Sequence, residues 1–124
     1  MNVGFFLRIR PKPKQRPRFS SGHTYTPKQT QDYEMEIAYL VQNEMNKQGW
    51  SKFQDHVSLT VGFYFKAKQE KEYHNSRPDI DNLLKSVQDA LNGVLYRDDS
   101  IIHEISANKW YGVVDAIYIK AEGE

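Results

Sequence analysis

The chain has 124 residues, 39% hydrophobic and 13% aromatic, so it can bury one modest core and is not a disordered chain. Its 17 lysines and arginines nearly balance 16 aspartates and glutamates, which excludes a histone-like polycation and an acidic tail protein. Cysteine is absent, which excludes disulfide scaffolds, thiolate zinc sites and thiol nucleophiles.

The charges are unevenly distributed along the chain. No acidic residue precedes Asp32, whereas seven basic residues do: Arg8, Arg10, Lys12, Lys14, Arg16, Arg18 and Lys28. This cationic segment favours a polyanion as partner. No apolar run approaches the roughly 20 residues of a membrane span, and the N-terminal apolar run turns basic after seven residues. We therefore expect a cytoplasmic protein with one domain over residues 1–124.

The first predicted element is a strand, because apolar residues alternate with others from Val3 to Ile9. Three prolines then alternate with four cations from Pro11 to Arg18. Proline cannot continue a helix or donate to a sheet, so this segment is predicted to be a stiff, exposed, extended loop. The next stretch, SSGHTY, predicts either a small hairpin or a continuation of the loop.

A long helix is predicted next. Thr26, Pro27 and Gln29 provide a capping hydroxyl, a proline suited to the first helical position and a capping-box glutamine. Gly49 is expected to end the helix. Between them, apolar residues recur at three- and four-residue spacing and form one stripe: Tyr33, Ile37, Leu40, Val41 and Met45.

The remaining pattern completes an α+β domain. Unbroken alternation predicts a strand at 57–65, and the polar stretch 66–78 predicts a loop long enough to suggest a functional role. A second helix is predicted at about 82–92. Alternating runs at about 101–110 and 113–120 predict a C-terminal antiparallel pair. The expected fold is a mixed β-sheet packed by two helices.

The segment 77–85, RPDIDNLLK, carries the clearest chemical signal. In an extended chain Asp79 and Asp81 point the same way, roughly 7 Å apart. Two converging carboxylates repel each other unless a cation lies between them or one is protonated. Oxygen ligands of this kind suit Mg²⁺ or Mn²⁺, bound together with a substrate phosphate. Asp81 is also placed to cap the following helix.

A polar stripe continues along that helix, since Asp81, Lys85 and Asp89 are spaced four residues apart. Lys85 is therefore expected beside the carboxylates, where an ammonium can hold a phosphate, orient water or stabilise charge on a leaving oxygen. Asp98 and Asp99 add an acidic turn before the next strand, and only one of them can face the site. Each feature alone is more often a solvated helix face or turn chemistry, so the hypothesis rests on their combination.

Phosphodiester hydrolysis needs cations that hold the backbone and a metal that activates water. The predicted DNA-binding residues are Lys12, Lys14, Arg16, Arg18 and Arg77. His74 could approach the metal, whereas the other three histidines receive no role. The sequence has no zinc-ligand spacing, no G-x-S-x-G and no glycine-rich phosphate loop, which argues against those alternatives.

The string RPDIDNLLKSVQDALNGVLYRDDSII, with the upstream KPKQRPRF and YTPKQTQDYE, resembles the RusA-type Holliday junction resolvases over about residues 10–109. The resemblance implies a RusA-like fold and a small, dimeric, Mg²⁺-dependent endonuclease, of a kind common in prophages. Such an enzyme resolves four-way DNA junctions by paired symmetric cuts in recombination and repair. By resemblance, Asp79, Asp81 and Asp99 are the metal ligands and Lys85 is the catalytic lysine, while the role of Asp98 stays open.

Two alternatives remain. One is a metal-dependent nuclease of the same fold that acts on flaps, nicks or other branched DNA. The other is a catalytically silent DNA-binding module of a phage, although carboxylates without a metal would repel DNA in such a module. Because a four-way junction has two-fold symmetry, a C2 homodimer with one site per chain is expected, and the run VSLTVGFYF is a weak candidate for its interface.

Overall fold

The computed structural model describes residues 1–67 and 72–124. These residues form an α+β fold with a mixed sheet and two α-helices, as predicted. In chain order the elements are β1 (Asn2–Leu7), β2 (Arg18–Ser20), β3 (His23–Tyr25), α1 (Lys28–Gln48), β4 (Val57–Lys66), α2 (Ile80–Leu91), a 3₁₀ turn η1 (Asp99–Ile101), β5 (Ile102–Gly112) and β6 (Ala116–Gly123). Of the predicted 66–78 loop, residues 68–71 lie outside the described residues.

The main sheet has the strand order β1-β6-β4-β5. β6 is antiparallel to both β1 and β4, and β5 is parallel to β4. The predicted pairing of the last two strands is therefore wrong, because β4 lies between them. Alternation marks a strand without naming its neighbour, and the strand with the most buried apolar residues takes a central position while the more polar β5 lies at the edge.

One face of the sheet carries the core. The apolar side chains of β4 that point to this face are at most 3% exposed, and both helices contribute buried residues to the same cluster. On the opposite face, Phe6 and Tyr118 stay 57% and 38% exposed. Because the apolar side chains of β4 are buried in the core of the chain itself, they cannot also form a dimer surface. The suggestion that VSLTVGFYF supplies such a surface is therefore wrong.

The ends of α1 differ in how well the sequence predicted them. Gly49 ends the helix in the left-handed region, at φ 71°, as expected. The predicted cap is wrong, because Pro27 occupies the N-cap position and no side-chain capping hydrogen bond forms. The Thr26 carbonyl accepts a hydrogen bond from Gln31, and the Gln29 side chain accepts one from Gln15. No described helix is both long and apolar enough to cross a membrane.

α2 begins two residues before the predicted start, and Asp79 occupies its N-cap position in an extended conformation. Asp81 lies inside the first helical turn. The two carboxylates are therefore not alternate residues of one extended segment, as the sequence pattern suggested, and Asp81 is not the cap. The SSGHTY stretch does form part of a hairpin, in which β2 pairs with β3 and the turn is made by Ser21 and Gly22.

The strand directions decide where the polar segments meet. β1 and β4 are both antiparallel to β6, so β1, β4 and β5 all run the same way and their carboxyl ends lie at one end of the sheet. Two segments meet at this end: the basic loop (residues 8–18), which follows β1, and the lead-in segment (residues 72–79), which precedes α2. η1 precedes β5 and therefore lies at the opposite end of the sheet.

Candidate active site

A cleft of about 850 Å³ opens where the basic loop faces the start of α2. It brings Asp79 together with several of the predicted DNA-binding residues. Its lining consists of the loop residues Arg10, Pro11, Lys12, Pro13, Lys14, Gln15 and Arg16, with Phe65, Arg77, Pro78, Asp79 and Asn82. Arg18 lies outside this lining, in β2.

The basic loop is fixed to the helices by backbone hydrogen bonds. The Lys12 amide donates to the Tyr33 hydroxyl at 3.1 Å, and the Lys14 amide donates to the Asn82 carbonyl at 3.0 Å. Burial raises the pKa of Tyr33 to about 12, so its hydroxyl stays neutral at physiological pH. The predicted stiff loop is therefore held against the fold and is extended without being fully exposed.

Lys14 forms an ion-pair centre between the loop and both helices. Its ammonium lies 2.6 Å from a Glu34 oxygen on α1 and 3.2 Å from an Asp89 oxygen on α2. Desolvation lowers the pKa of Lys14, but its hydrogen bonds to the two carboxylates outweigh this effect and the pKa is raised overall. Asp89, which the sequence places on the same polar stripe as Lys85, contacts Lys14. The Lys14 ammonium is thus engaged within the protein.

The acids on α2 are presented to solvent. Asp79 is exposed and makes no side-chain capping hydrogen bond to any described residue, so its carboxylate is available to other partners. Asp81 is exposed in the first turn, where the positive end of the helix dipole favours a negative charge. Lys85 is exposed one turn further along, on the same face as Asp81.

Asp98 and Asp99 have different environments. Asp98 caps η1 by accepting a hydrogen bond from the Ser100 amide at 3.0 Å, which lowers the pKa of Asp98. Asp99 is partly buried, and its Oδ1 has no hydrogen-bond partner among the described residues. Burial raises the pKa of Asp99, the neighbouring Tyr96 hydroxyl opposes this, and the charges of Asp89 and Asp98 add to the rise. Of the two residues, Asp99 is therefore the one with a buried carboxylate oxygen that lacks a partner among the described residues.

The structure does not bring Asp99 together with Asp79 and Asp81 within one chain. Asp99 lies near the last turns of α2, since the Tyr96 hydroxyl beside it donates to the Gln88 carbonyl at 2.7 Å. The ten residues from Asp79 to the end of α2 near Asp89 span about 15 Å along the helix. In the part of the chain that is described, no three acidic or histidine side chains are grouped to hold an ion.

The donor chemistry nevertheless fits a hard divalent cation. Mg²⁺ keeps several waters and is commonly bound by one or two carboxylates together with substrate phosphates, so a full protein cage is not required. Asp79 supplies an exposed carboxylate at the cleft, and Asp81, outside the cleft lining, supplies another in the adjacent first turn of α2. The unpartnered Oδ1 of Asp99 is a buried acceptor that a cation would satisfy. The assignment of all three to one metal stays a prediction.

His74 lies in an aromatic stack. Its ring centroid is 4.3 Å from that of Phe65 and 4.7 Å from that of Tyr111. Burial lowers the pKa of His74, and the nearby charge of Lys109 lowers it further, so the ring is neutral at pH 7. The ring forms part of the packing behind the cleft, and its approach to a metal stays a prediction.

Two structural residues were not identified from the sequence. Arg10 pairs with Asp115 at 3.0 Å and lies 5.6 Å from the centroid of the Phe65 ring, which fixes one wall of the cleft. Lys109 on β5 donates to backbone carbonyls of the lead-in segment. The sequence signal for Lys109 was weak: a lysine on the core-facing side of an alternating strand, where an apolar residue is expected.

The unequal environments of Asp98 and Asp99 predict opposite effects on stability. In metal-free buffer at pH 7, Asp99→Asn should increase the free energy of unfolding, because a carboxyl whose folded-state pKa is raised destabilises the fold once ionised. The gain should disappear as pH falls towards the unfolded pKa of 3.8. Asp98→Asn should instead decrease stability at pH 7, since the folded-state pKa of Asp98 is lowered. Urea denaturation at several pH values measures both, and changes of the same sign would contradict the assignment.

Comparison with known proteins identifies the family of the chain. The chain matches the family described as Endodeoxyribonuclease RusA over residues 8–122 and therefore belongs to that family. This confirms the resemblance inferred from the sequence.

Two curated relatives are similar over shorter stretches. The crossover junction endodeoxyribonuclease rusA of Lactococcus phage r1t is 40% identical over 57 residues, which cover 43% of this chain and 44% of that protein. The uncharacterized protein YqaN of Bacillus subtilis (strain 168) is 44% identical over 36 residues, 29% of this chain and 25% of that protein. The matches thus span less than half the length of either relative.

Proposed function

We propose that this protein is an Mg²⁺-dependent endodeoxyribonuclease that resolves four-way DNA junctions in the cytoplasm, during recombination and repair. The observation that carries the proposal is the cleft in which the basic loop faces Asp79 at the start of α2. Membership of the RusA family and the name of the phage relative support the same activity and substrate.

The cleft cations would hold the DNA backbone. Lys12, Arg16 and Arg77 line the cleft and are exposed, so they can meet phosphates directly. Lys14 is engaged with two carboxylates, and in this proposal it anchors the loop. Arg18 lies in the hairpin beside Phe19, which is 73% exposed and could stack on unpaired bases at a branch point.

The acids and Lys85 would carry the chemistry. Asp79 and Asp81 would hold Mg²⁺ together with the scissile phosphate, and Mn²⁺ could substitute. When bound, Mg²⁺ supplies activation of a water nucleophile and neutralisation of developing negative charge. Lys85, one turn from Asp81, would place its ammonium where charge accumulates on the leaving oxygen.

Because α2 separates Asp99 from Asp79 within a chain, a shared ion would require a second copy. The outer edge of β5 is unpaired over residues 102–108 within the described chain, and Ile105 on it is 40% exposed. Antiparallel pairing of two β5 edges about a two-fold axis would set the amino end of one strand beside the carboxyl end of the other. Asp99 of one copy would then approach Asp79 of the other. We therefore propose a homodimer with composite sites.

Mixed dimers test this arrangement. Asp79→Asn and Asp99→Asn homodimers should both be inactive, whereas a co-expressed heterodimer should regain cleavage of one junction strand. If each site combines Asp79 of one chain with Asp99 of the other, one site of the heterodimer contains both substitutions and the other site contains neither. Differently tagged chains allow the heterodimer to be isolated. A heterodimer as inactive as its parents, or a monomer by sedimentation at micromolar concentration, would contradict the composite dimer.

Neutralising cleft cations should weaken junction binding in a salt-dependent manner. For the Lys12→Gln, Arg16→Gln double variant, the slope of log affinity against log salt should fall by about 0.9 for each phosphate that the protein no longer neutralises. Binding would be measured in EDTA from about 50 to 200 mM salt, a range in which phosphate neutralisation dominates the salt dependence. Lys47→Gln, an exposed site at the far end of α1, is the matched control. An unchanged slope in the double variant would place the loop away from DNA.

A substrate panel tests the function itself. Purified protein would be incubated with four-way, Y-shaped, flap, nicked and linear DNA, with and without Mg²⁺. The proposal predicts Mg²⁺-dependent cleavage that is fastest on four-way junctions. Faster cleavage of flaps or nicks would favour the general branched-DNA nuclease, and junction binding without any cleavage would favour the silent module.

A further inference from the structure

The lead-in segment delivers Asp79 to the cleft, although it is not part of a helix or a regular strand. Its first residues are tied to the end of β5. The Tyr111 amide donates to the Glu72 carbonyl at 2.9 Å, and the His74 amide donates to the Lys109 carbonyl at 3.3 Å. These backbone bonds fix the segment as far as His74, five residues before the carboxylate.

Beyond that point, the Lys109 side chain holds the backbone. Its ammonium donates to the carbonyls of Ser76 at 2.7 Å and Pro78 at 2.8 Å. The Pro78 carbonyl belongs to the peptide bond that leads into Asp79. The two bonds therefore fix the main chain on both sides of Arg77.

The environment of Lys109 suits this role better than a contact with DNA. The side chain is partly buried, and no ion pair joins it to a carboxylate of the described residues. Two of the three ammonium donors are directed to backbone carbonyls. The ammonium is also close enough to His74 for its charge to lower the pKa of that ring, in addition to the effect of burial.

We propose that Lys109 is a positioning residue that holds the peptide before Asp79, so that this carboxylate is fixed for its cation and the scissile phosphate. The inference rests on the proposed function of Asp79. Groups that orient metal ligands through hydrogen bonds typically change metal affinity or activity by about 10- to 100-fold when they are removed. Loss of Lys109 should therefore affect the metal requirement more than DNA binding.

The test compares Lys109→Met, which keeps the length of the side chain without its charge, with Lys109→Arg, which can still donate to two carbonyls. Lys120→Met on β6 is the matched control, because Lys120 is exposed and pairs only with Glu122 among the described residues. Three quantities are measured: amide hydrogen exchange of the 72–84 peptide without metal, junction affinity in EDTA, and the Mg²⁺ concentration for half-maximal cleavage.

For Lys109→Met we expect faster exchange confined to the 72–84 peptide, an unchanged junction affinity and an Mg²⁺ requirement raised by about tenfold. Lys109→Arg should recover most of the loss, and Lys120→Met should match the wild type. If Lys109→Met fails to fold, Lys109→Gln, which retains a donor, is measured in the same way.

Two results would overturn the inference. Wild-type exchange and an unchanged Mg²⁺ requirement in Lys109→Met would show that the lead-in segment does not depend on this ammonium. A fall in EDTA affinity that matches the loss of cleavage would make Lys109 a DNA-binding residue. Failure of the proposed function would be visible separately, as a wild type that cleaves no branched DNA, while the exchange measurement would still decide whether Lys109 fixes the segment.

Discussion

Asp79→Asn should reduce Mg²⁺-dependent junction cleavage by roughly 100- to 1000-fold, the equivalent of about 3–4 kcal/mol of lost transition-state stabilisation. Junction binding in EDTA should persist or strengthen, because the substitution removes a negative charge from a cleft lined by cations. Asp81→Asn and Asp99→Asn are expected to behave in the same way. Single-turnover cleavage and a gel-shift titration separate the two effects.

Asp98→Asn is the matched control for this series. It makes the same chemical change one residue from Asp99, at a carboxylate whose hydrogen bond is already used by the Ser100 amide. Its cleavage rate should stay within a few-fold of the wild type when the protein is folded. If Asp79→Asn lost binding in step with cleavage, the acid would be structural, and the proposed metal site would be wrong.

Lys85→Ala should reduce the single-turnover rate far more than the junction affinity. An ammonium that stabilises charge only as it develops contributes to the transition state and little to the ground state. Removing one such preorganised group typically costs about 100- to 1000-fold in rate. Lys85→Arg should recover little activity, because a planar guanidinium does not reproduce a compact point charge.

Lys47→Ala is the control for Lys85, since both are exposed lysines on helix surfaces and Lys47 lies at the end of α1, away from the cleft. This variant should match the wild type in rate and affinity. An affinity loss without a rate loss in Lys85→Ala would assign Lys85 to DNA holding.

The fold was largely predictable because its elements follow simple periodicities. The alternation in β1 and β4 and the helical spacing in α1 each reflect burial on one side of the element. Pairing was not predictable in the same way. β5 and β6 are neighbours in sequence and both alternate, yet β4 lies between them. β4 takes a central position because its apolar side chains are the most completely buried. This preference can be judged only by comparing all strands of the sheet.

The candidate site was predictable in its residue types and less so in its geometry. The cleft joins Asp79 to the basic loop because β1 and β4 terminate at the same end of the sheet, which follows from strand directions that the sequence does not state. For the same reason Asp99, which precedes β5, lies at the opposite end of the sheet. The dual pairing of Lys14 with Glu34 and Asp89 links three distant segments, and no local pattern reveals such an arrangement.

Cleavage of a supercoiled plasmid that extrudes a cruciform tests the central claim most directly. Two cuts within one bound complex convert the plasmid to the linear form, whereas independent nicks first accumulate as open circles. With Mg²⁺, the wild type should produce linear DNA without an open-circle intermediate, and Asp79→Asn should produce neither. Accumulation of open circles by the wild type would contradict paired resolution of junctions, and cleavage that persists in Asp79→Asn would contradict the proposed site.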